Sequence, residues 1–304
     1  MIGRSRVWKR LPTEASNPRA RALDRLTPEG IVALMQSEDR RVLKALRGAR
    51  PAIARSAVLL RETYLSGGTV HLFGAGTSGR LAVLEAAELP PTFGTDPKRV
   101  RATLAGGRSA VFRSREGAED RFAEGARSAG SAKPGDLVIG VSASSVTPFV
   151  RGALARACRL GARAILVTAA HPRGKARIAD VVVRLDVGPE VLAGSTRLKA
   201  GTATKLALNQ MTTAAFASAG RVFGPWMVDL RAGSAKLRDR AARIVAAAAG
   251  GSPREARSLL ARAGGEVKVA ILMGRSALTP SAARRRLEGA RGDLRRALSF
   301  RRRS

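Results

Sequence analysis

The sequence predicts an α/β protein: a parallel sheet sandwiched by helices, with N-terminal helices and a small helical C-terminal subdomain. Three observations predict it. Between residues 69 and 219, short runs of Val, Ile and Leu alternate with helical stretches. Such continuous apolar runs mark strands buried on both faces, the condition of a parallel sheet. The first run leads into a glycine-rich loop and a helix, and beyond about residue 235 only helical periodicity remains.

Residues 1–66 read as a helical segment packed on the core. Val42, Leu43, Leu46, Ile53, Ala54 and Val58 recur at helical spacing, and a helical hairpin broken near Pro51 is expected before Gly67-Gly68 ends the region. Residues 67–234 form the α/β domain. Strands are expected at Thr69–Phe73, Val100–Leu104, Leu137–Ser142, Ala164–Thr168 and Val181–Leu185, with helices near 78–89, 115–128, 148–160 and 200–219. Residues 235–304 form the C-terminal subdomain, with helices at Leu237–Ala249, Pro253–Ala263, Val267–Met273 and Pro280–Leu298 and an arginine-rich tail through Arg303.

Composition narrows the function classes. With only 4% aromatic residues, the core must be built from Ala, Val, Leu and Ile. Cys158 is the single cysteine and forms no internal disulfide. No apolar run reaches the length of a membrane span, and the basic start Met1-Ile-Gly-Arg-Ser-Arg6 lacks the apolar stretch of a signal peptide, so a cytoplasmic protein is expected. The 55 Lys and Arg against 23 Asp and Glu give a net charge of +32. That charge favours nonspecific attraction to nucleic acid. A dedicated nucleic-acid role is disfavoured, because the charge is spread along the chain, no finger, RNP or basic-zipper pattern occurs, and stacking residues are scarce. A compositional bias toward arginine accounts for the same charge.

The loop Gly74-Ala-Gly-Thr-Ser-Gly-Arg80 follows the first strand and opens a helix that is expected to stop at Pro90-Pro91. Its glycines let backbone N–H groups face an anion, Thr77 and Ser78 add hydroxyl donors, and the helix offers its positive end. A phosphorylated small molecule fits this pattern. The loop also matches G-x-G-x-x-G, with Asp96 near the distance of a dinucleotide-binding carboxylate. Asp96 precedes the next strand, however, whereas the ribose acid ends it. A glycine turn that merely packs the helix on the sheet is the third reading.

The second loop, Gly140-Val-Ser-Ala-Ser-Ser-Val-Thr-Pro148, sets Ser142, Ser144, Ser145 and Thr147 between strand and helix. They suit phosphate oxygens or, more plainly, helix capping. A third stretch, Gly194 to Lys205, mixes Ser195, Thr196, Arg197, Lys199 and Lys205 near a helix start, either as an anion grip or as a cap. Glu85 and Glu88 lie one turn apart near the expected end of their helix. The negative end of a helix dipole disfavours a carboxylate anion, which places Glu88 like a general acid, although such glutamates are ordinarily solvated surface residues. Glu116-Gly-Ala-Glu119-Asp120 is expected to open the next helix. His71 reads as a core histidine, and no metal-ligand spacing is present.

Together these segments resemble the N-acetylmuramic acid 6-phosphate etherases, enzymes of the sugar isomerase (SIS) fold. The similarity covers Leu11–Pro18, Leu23–Leu26, Gly74–Phe93, Ala105–Gly107, Glu116–Asp120, Val187–Glu190, Gly194–Lys205, Met227–Leu230 and Lys236–Arg240. The resemblance implies cofactor-free cleavage of the lactyl ether by elimination and hydration. It implies Glu88 as the acid that protonates departing lactate and later activates water, and Glu119 as the base at carbon 2, with Glu116 as the alternative. It further implies phosphate binding by Thr77, Ser78, Ser144, Ser145, Thr147, Ser195, Thr196, Arg197 and Lys199, no metal, a phosphorylated amino sugar as partner, and a homodimer. Where the family usually reads Ala-Ser-Gly-Arg-Thr-Pro, this chain has Ala143-Ser-Ser-Val-Thr-Pro148, so Val146 stands at the arginine position. That departure puts substrate affinity and sugar identity in question. A noncatalytic sugar-phosphate-binding regulator on the same fold is the alternative.

Overall fold

The computed structural model describes residues 11–172, 178–230 and 235–299. The basic start Met1–Arg6 and the tail arginines 301–303 lie outside the described residues. The chain divides into two compact units, residues 1–87 with 97–212 and residues 88–96 with 213–304.

In the first unit, β1 (Val70–Gly74), β2 (Val100–Leu104), β3 (Leu137–Val141), β4 (Arg163–Thr168) and β5 (Val181–Arg184) form one parallel sheet in the order β2-β1-β3-β4-β5. Phe73, Gly140, Leu166 and Val182 stand in register, and side chains two residues apart share a face. Onto the Phe73 face packs α4 (Pro148–Arg159), whose Val150 and Leu154 fill the space a side chain at position 140 would take. Helix α3 (Phe122–Ser128) lies against α4.

Helix α1 (Pro28–Leu65) packs on β1, β3 and β5. It is one helix of 38 residues, not the hairpin expected near Pro51. Pro51 is exposed, so the carbonyl its missing N–H releases faces water, and the buried row Val42, Ala45, Leu46, Ala49, Ile53, Ala57, Leu60 continues past it. Leu43, Ala54 and Val58, expected on the core face, are exposed instead.

Helix α2 (Gly76–Phe93) likewise continues through Pro90 and Pro91. Both prolines fall in its last turns, and the Thr92 hydroxyl donates to the Glu88 carbonyl at 2.7 Å. Glu88 therefore sits inside the helix rather than beside its end. The stretch 115–121, expected to be helical, forms turns, because Gly117 adopts φ +72°. Helix α5 (Lys199–Phe216) follows the third hydroxyl-rich stretch.

His71 donates to or accepts from Thr103 Oγ1 at 2.8 Å and packs on Phe73. Burial, aided by the Arg101 charge, holds its imidazole down from 6.5 to about 3. A histidine harder to protonate folded than unfolded makes stability fall as acid is added, beginning near the unfolded value. Urea midpoints should therefore drop from about pH 6.5 toward about 3, and His71→Phe should flatten that part of the curve. An unchanged slope in the variant would place the effect elsewhere.

In the second unit, the hairpin strands β6 (Val222–Phe223) and β7 (Trp226–Met227) precede α6 (Ala235–Ala249), α7 (Pro253–Arg262), α8 (Val267–Ser276), α9 (Pro280–Gly289) and α10 (Leu294–Ser299). Residues 267–273 are buried all round, as expected of a central helix, and α8 contacts the other four helices. The single helix expected over Pro280–Leu298 is two, with Arg291 and Gly292 at positive φ between them. Lys268 Nζ donates to Asp229 at 2.7 Å and to the Gly292 carbonyl at 2.6 Å, which ties this turn to the segment after β7.

Candidate active site

The strand order reverses between β1 and β3, and in such sheets ligands bind outside the carboxyl ends of the strands at that point. A cavity of about 270 Å³ lies there. The loops after β1, β2 and β3 line it, joined by Thr13, Glu14, Gly194 and Thr196.

From the first loop come Gly76, Thr77, Ser78 and Arg80. The first-turn N–H groups of α2 have no preceding helical carbonyl to bond, so they remain available to an anion. Gly79 has a different task. A Cβ there would stand 2.7 Å from the Gly74 carbonyl oxygen and 2.1 Å from Leu104 Cδ1, so α2 approaches the sheet only because both residues are glycine. The packing reading thus holds for Gly74 and Gly79, while Thr77 and Ser78 face the cavity. Arg80 donates from Nε to the Val111 carbonyl at 2.8 Å and from Nη2 to that of Ala110 at 2.9 Å. It pins the turn after β2 beside the loop.

The second loop contributes Ser144 and Thr147, whose Oγ1 is 2.7 Å from Ser142 Oγ. Ser145 turns away: it is buried at φ +63° and donates to the His171 carbonyl at 3.1 Å. In the third stretch, Thr196 lines the cavity, whereas Ser195 and the exposed Arg197 do not. The Gly194 N–H donates to the Thr13 carbonyl at 2.9 Å, which carries Thr13 and Glu14 to the cavity wall.

Lys199 does not reach the cavity. Its side chain is buried, and its ammonium donates to Glu38 Oε2 at 2.5 Å and to the Pro189 carbonyl at 2.7 Å. Asn17 Nδ2 joins the same two acceptors at 2.8 and 3.2 Å. Burial opposes ionisation of Glu38, yet hydrogen bonds from Lys199 and Asn17, with the Lys199 and Arg41 charges, hold its carboxyl down at about 2. The neighbouring Glu190 accepts the Lys199 and Ala200 N–H groups at the start of α5, at 3.1 and 2.9 Å, and burial pushes its carboxyl up. A cation expected to grip substrate is instead part of a buried ionic clasp beneath the Thr13-Glu14 wall. Lys205 is also committed within the protein, 3.2 Å from the buried Glu85, which accepts from Thr212 Oγ1 at 2.6 Å.

Of the carboxylates expected to do chemistry, Glu119 and Glu116 both line the cavity. Glu119 is positioned by its backbone carbonyl, which accepts the Phe149 N–H in the first turn of α4 at 2.9 Å. Glu88 is exposed and is not among the residues lining the cavity. After β2 come Ala105, Gly106 and Gly107, so no carboxylate stands where a dinucleotide ribose acid would be. Among the described residues, no cluster of three His, Cys, Asp or Glu side chains could hold a metal ion, and no helix is long and apolar enough to cross a membrane.

Sequence reasoning gave no role to Glu14, Arg80 or Arg115, all of which line the cavity. Glu14 and Arg80 fall inside segments that carry the family resemblance, which was the available signal. For Arg115 there was none.

The chain is 47% identical over 286 residues to an N-acetylmuramic acid 6-phosphate etherase of Gloeobacter violaceus, covering 93% of this chain and 94% of that one. It is 46% identical over 265 residues to the etherase of Thermosynechococcus vestitus, covering 86% of each. This chain belongs to the N-acetylmuramic acid 6-phosphate etherase family. Residues 52–158 match the glucokinase regulatory protein N-terminal SIS domain family, in keeping with the SIS fold of this etherase-family chain. A phosphoheptose isomerase from Francisella tularensis superposes with a TM-score of 0.48 at 18% identity, over 64% of this chain and 98% of that one. In this etherase-family chain, Thr77, Ser78, Ser144, Thr147, Thr196 and Glu119 line one cavity, and Ser145, Ser195, Arg197, Lys199 and Glu88 are not in its lining.

Proposed function

We propose that the protein cleaves the D-lactyl ether of N-acetylmuramic acid 6-phosphate, with water, to N-acetylglucosamine 6-phosphate and D-lactate, as a carbon–oxygen lyase acting without a cofactor. The observation that carries this reading is the meeting of two hydroxyl-rich strand-end loops and Glu119 in one switch-point cavity of an etherase-family chain. The α2 N-terminus with Thr77 and Ser78, together with Ser144, Thr147 and Thr196, receives the phosphate.

The sugar opens to its aldehyde, which acidifies the proton on carbon 2. The Glu119 carboxylate removes that proton, the bond from carbon 3 to the ether oxygen breaks, and Glu88 protonates the departing lactate oxygen. Water, deprotonated by Glu88, then adds to carbon 3 of the alkene, and a proton returns to carbon 2. The two glutamates thus begin in opposite protonation states.

A homodimer that completes the site between two copies accommodates the exposure of Glu88 in the single chain. Val32, Leu43, Ala54, Val58 and Leu65 support that assembly: they share one stripe of α1, and all are exposed. We place the enzyme in the cytoplasm, where its +32 charge also gives a nonspecific attraction to nucleic acid.

Incubation with N-acetylmuramic acid 6-phosphate should release D-lactate in step with N-acetylglucosamine 6-phosphate. Retained sugar-phosphate binding with no lactate at high protein concentration would replace this reading with that of a regulator.

A further inference from the structure

The cavity holds five titratable side chains: Glu14, Glu116, Glu119, Arg80 and Arg115. Three carboxylates against two guanidinium groups leave it one positive charge short of neutral. The substrate proposed above brings two further anionic groups, a phosphate and the carboxylate of the lactyl ether. Hydroxyls and helix N–H groups meet the phosphate, but the carboxylate needs a cation. In the second loop Val146, between Ser145 and Thr147, cannot supply it.

Arg80 is occupied, since it holds the Ala110 and Val111 carbonyls. Lys199 is in the buried clasp, and Arg197 is not in the cavity lining. Arg115 differs from all three. It lines the cavity, and among the described residues its guanidinium has no hydrogen-bond or ion-pair partner. Its stem is guided rather than loose: a Cβ on Gly106 would stand 3.2 Å from Arg115 Cβ and Cδ, so the side chain crosses directly over that glycine. Arg115 is also the immediate neighbour of Glu116 and four residues from Glu119. With Glu119 as the base at carbon 2, a guanidinium lining the same cavity is the cation available to the lactyl group on the adjacent carbon 3.

We propose that Arg115 is the specificity residue that receives the lactyl carboxylate, supplying in this chain the cation that Val146 does not. The proposal rests on the etherase reading for the identity of the carboxylate. A planar guanidinium suits a carboxylate because two parallel N–H groups meet its two oxygens. Bound there, the carboxylate fixes the ether oxygen relative to Glu119, while the Arg115 charge offsets the negative charge it brings.

Wild type, Arg115→Ala and Arg115→Lys should be compared for D-lactate release from N-acetylmuramic acid 6-phosphate and for binding of N-acetylglucosamine 6-phosphate, which has the phosphate but no carboxylate. Loss of a charge-assisted hydrogen bond corresponds to roughly a tenfold to hundredfold loss. Arg115→Ala should lower kcat/KM by about that factor, mainly through KM, with binding of the carboxylate-free sugar within about twofold of wild type and Arg115→Lys in between. Equal weakening of both sugars, or unchanged kcat/KM, would overturn the assignment. If wild type releases no lactate, the etherase reading fails, and Arg115 is judged by binding alone. Selective loss of the carboxylate-bearing sugar in Arg115→Ala then supports it, and equal affinities overturn it.

Discussion

Glu119→Gln lowers D-lactate release by about 10²- to 10⁴-fold, the range expected when a positioned general base is removed. The amide keeps the size of the side chain, and the loop is held by the Glu119 carbonyl and the Phe149 N–H, so the cavity wall stays in place. What disappears is the acceptor for the carbon 2 proton. In deuterated water, wild type should exchange that proton and Glu119→Gln should not. Glu88→Gln should give a different signature, because the acid acts after the proton has left: lactate release falls by a comparable factor while exchange at carbon 2 persists. The pair of variants separates the two roles without a structure of the complex. Since Glu116 lines the same cavity, normal exchange in Glu119→Gln would move the base to Glu116. Exchange lost in Glu88→Gln would collapse the two-residue scheme.

The loops were readable because their chemistry is local. A strand, a glycine, two hydroxyls and a helix start follow one another in the chain, so Thr77 and Ser78 were legible at the cavity without knowing what lies opposite. The five strands were legible for a similar reason, since burial on both faces leaves a continuous apolar run. The prolines misled because the rule against proline in a helix assumes that the released carbonyl finds no partner. At Pro51 that surface is exposed, and Pro90 and Pro91 come so near the end of their helix at Phe93 that they interrupt only its last turns. Glu116 and Glu119 were expected to open a helix, but they lie in turns before it, with the left-handed Gly117 between them. Lys199 misled for the opposite reason to the loops. Its partner Glu38 lies 161 residues away, and nothing beside Lys199 in the chain announces it.

Lys199→Met destabilises the protein by about 3–5 kcal/mol, because removing one partner of a buried pair strands the other. Glu38 has no exposed side-chain surface and Lys199 only 2%. Without the ammonium, Glu38 must stay buried beside Asn17 and the half-exposed Arg19 and Arg41, or take up a proton. Two comparisons identify the cause. Lys199→Met/Glu38→Leu should recover much of the loss, since an apolar replacement of a buried pair is often neutral. Acid should narrow the gap between wild type and the single variant. Wild-type Glu38 is held down from 4.5 to about 2, so its contribution is present above about pH 4.5 and is lost as pH falls through about 2. Urea unfolding at neutral pH and near pH 3 tests both points. Equal destabilisation at the two pH values, or a double variant weaker than the single one, would mean that side-chain packing rather than charge holds the clasp. The clasp also bears on chemistry, because Asn17 ties it to the segment that brings Thr13 and Glu14 to the cavity. At temperatures where Lys199→Met remains folded, it should therefore weaken sugar-phosphate binding, although Lys199 itself lies outside the cavity lining.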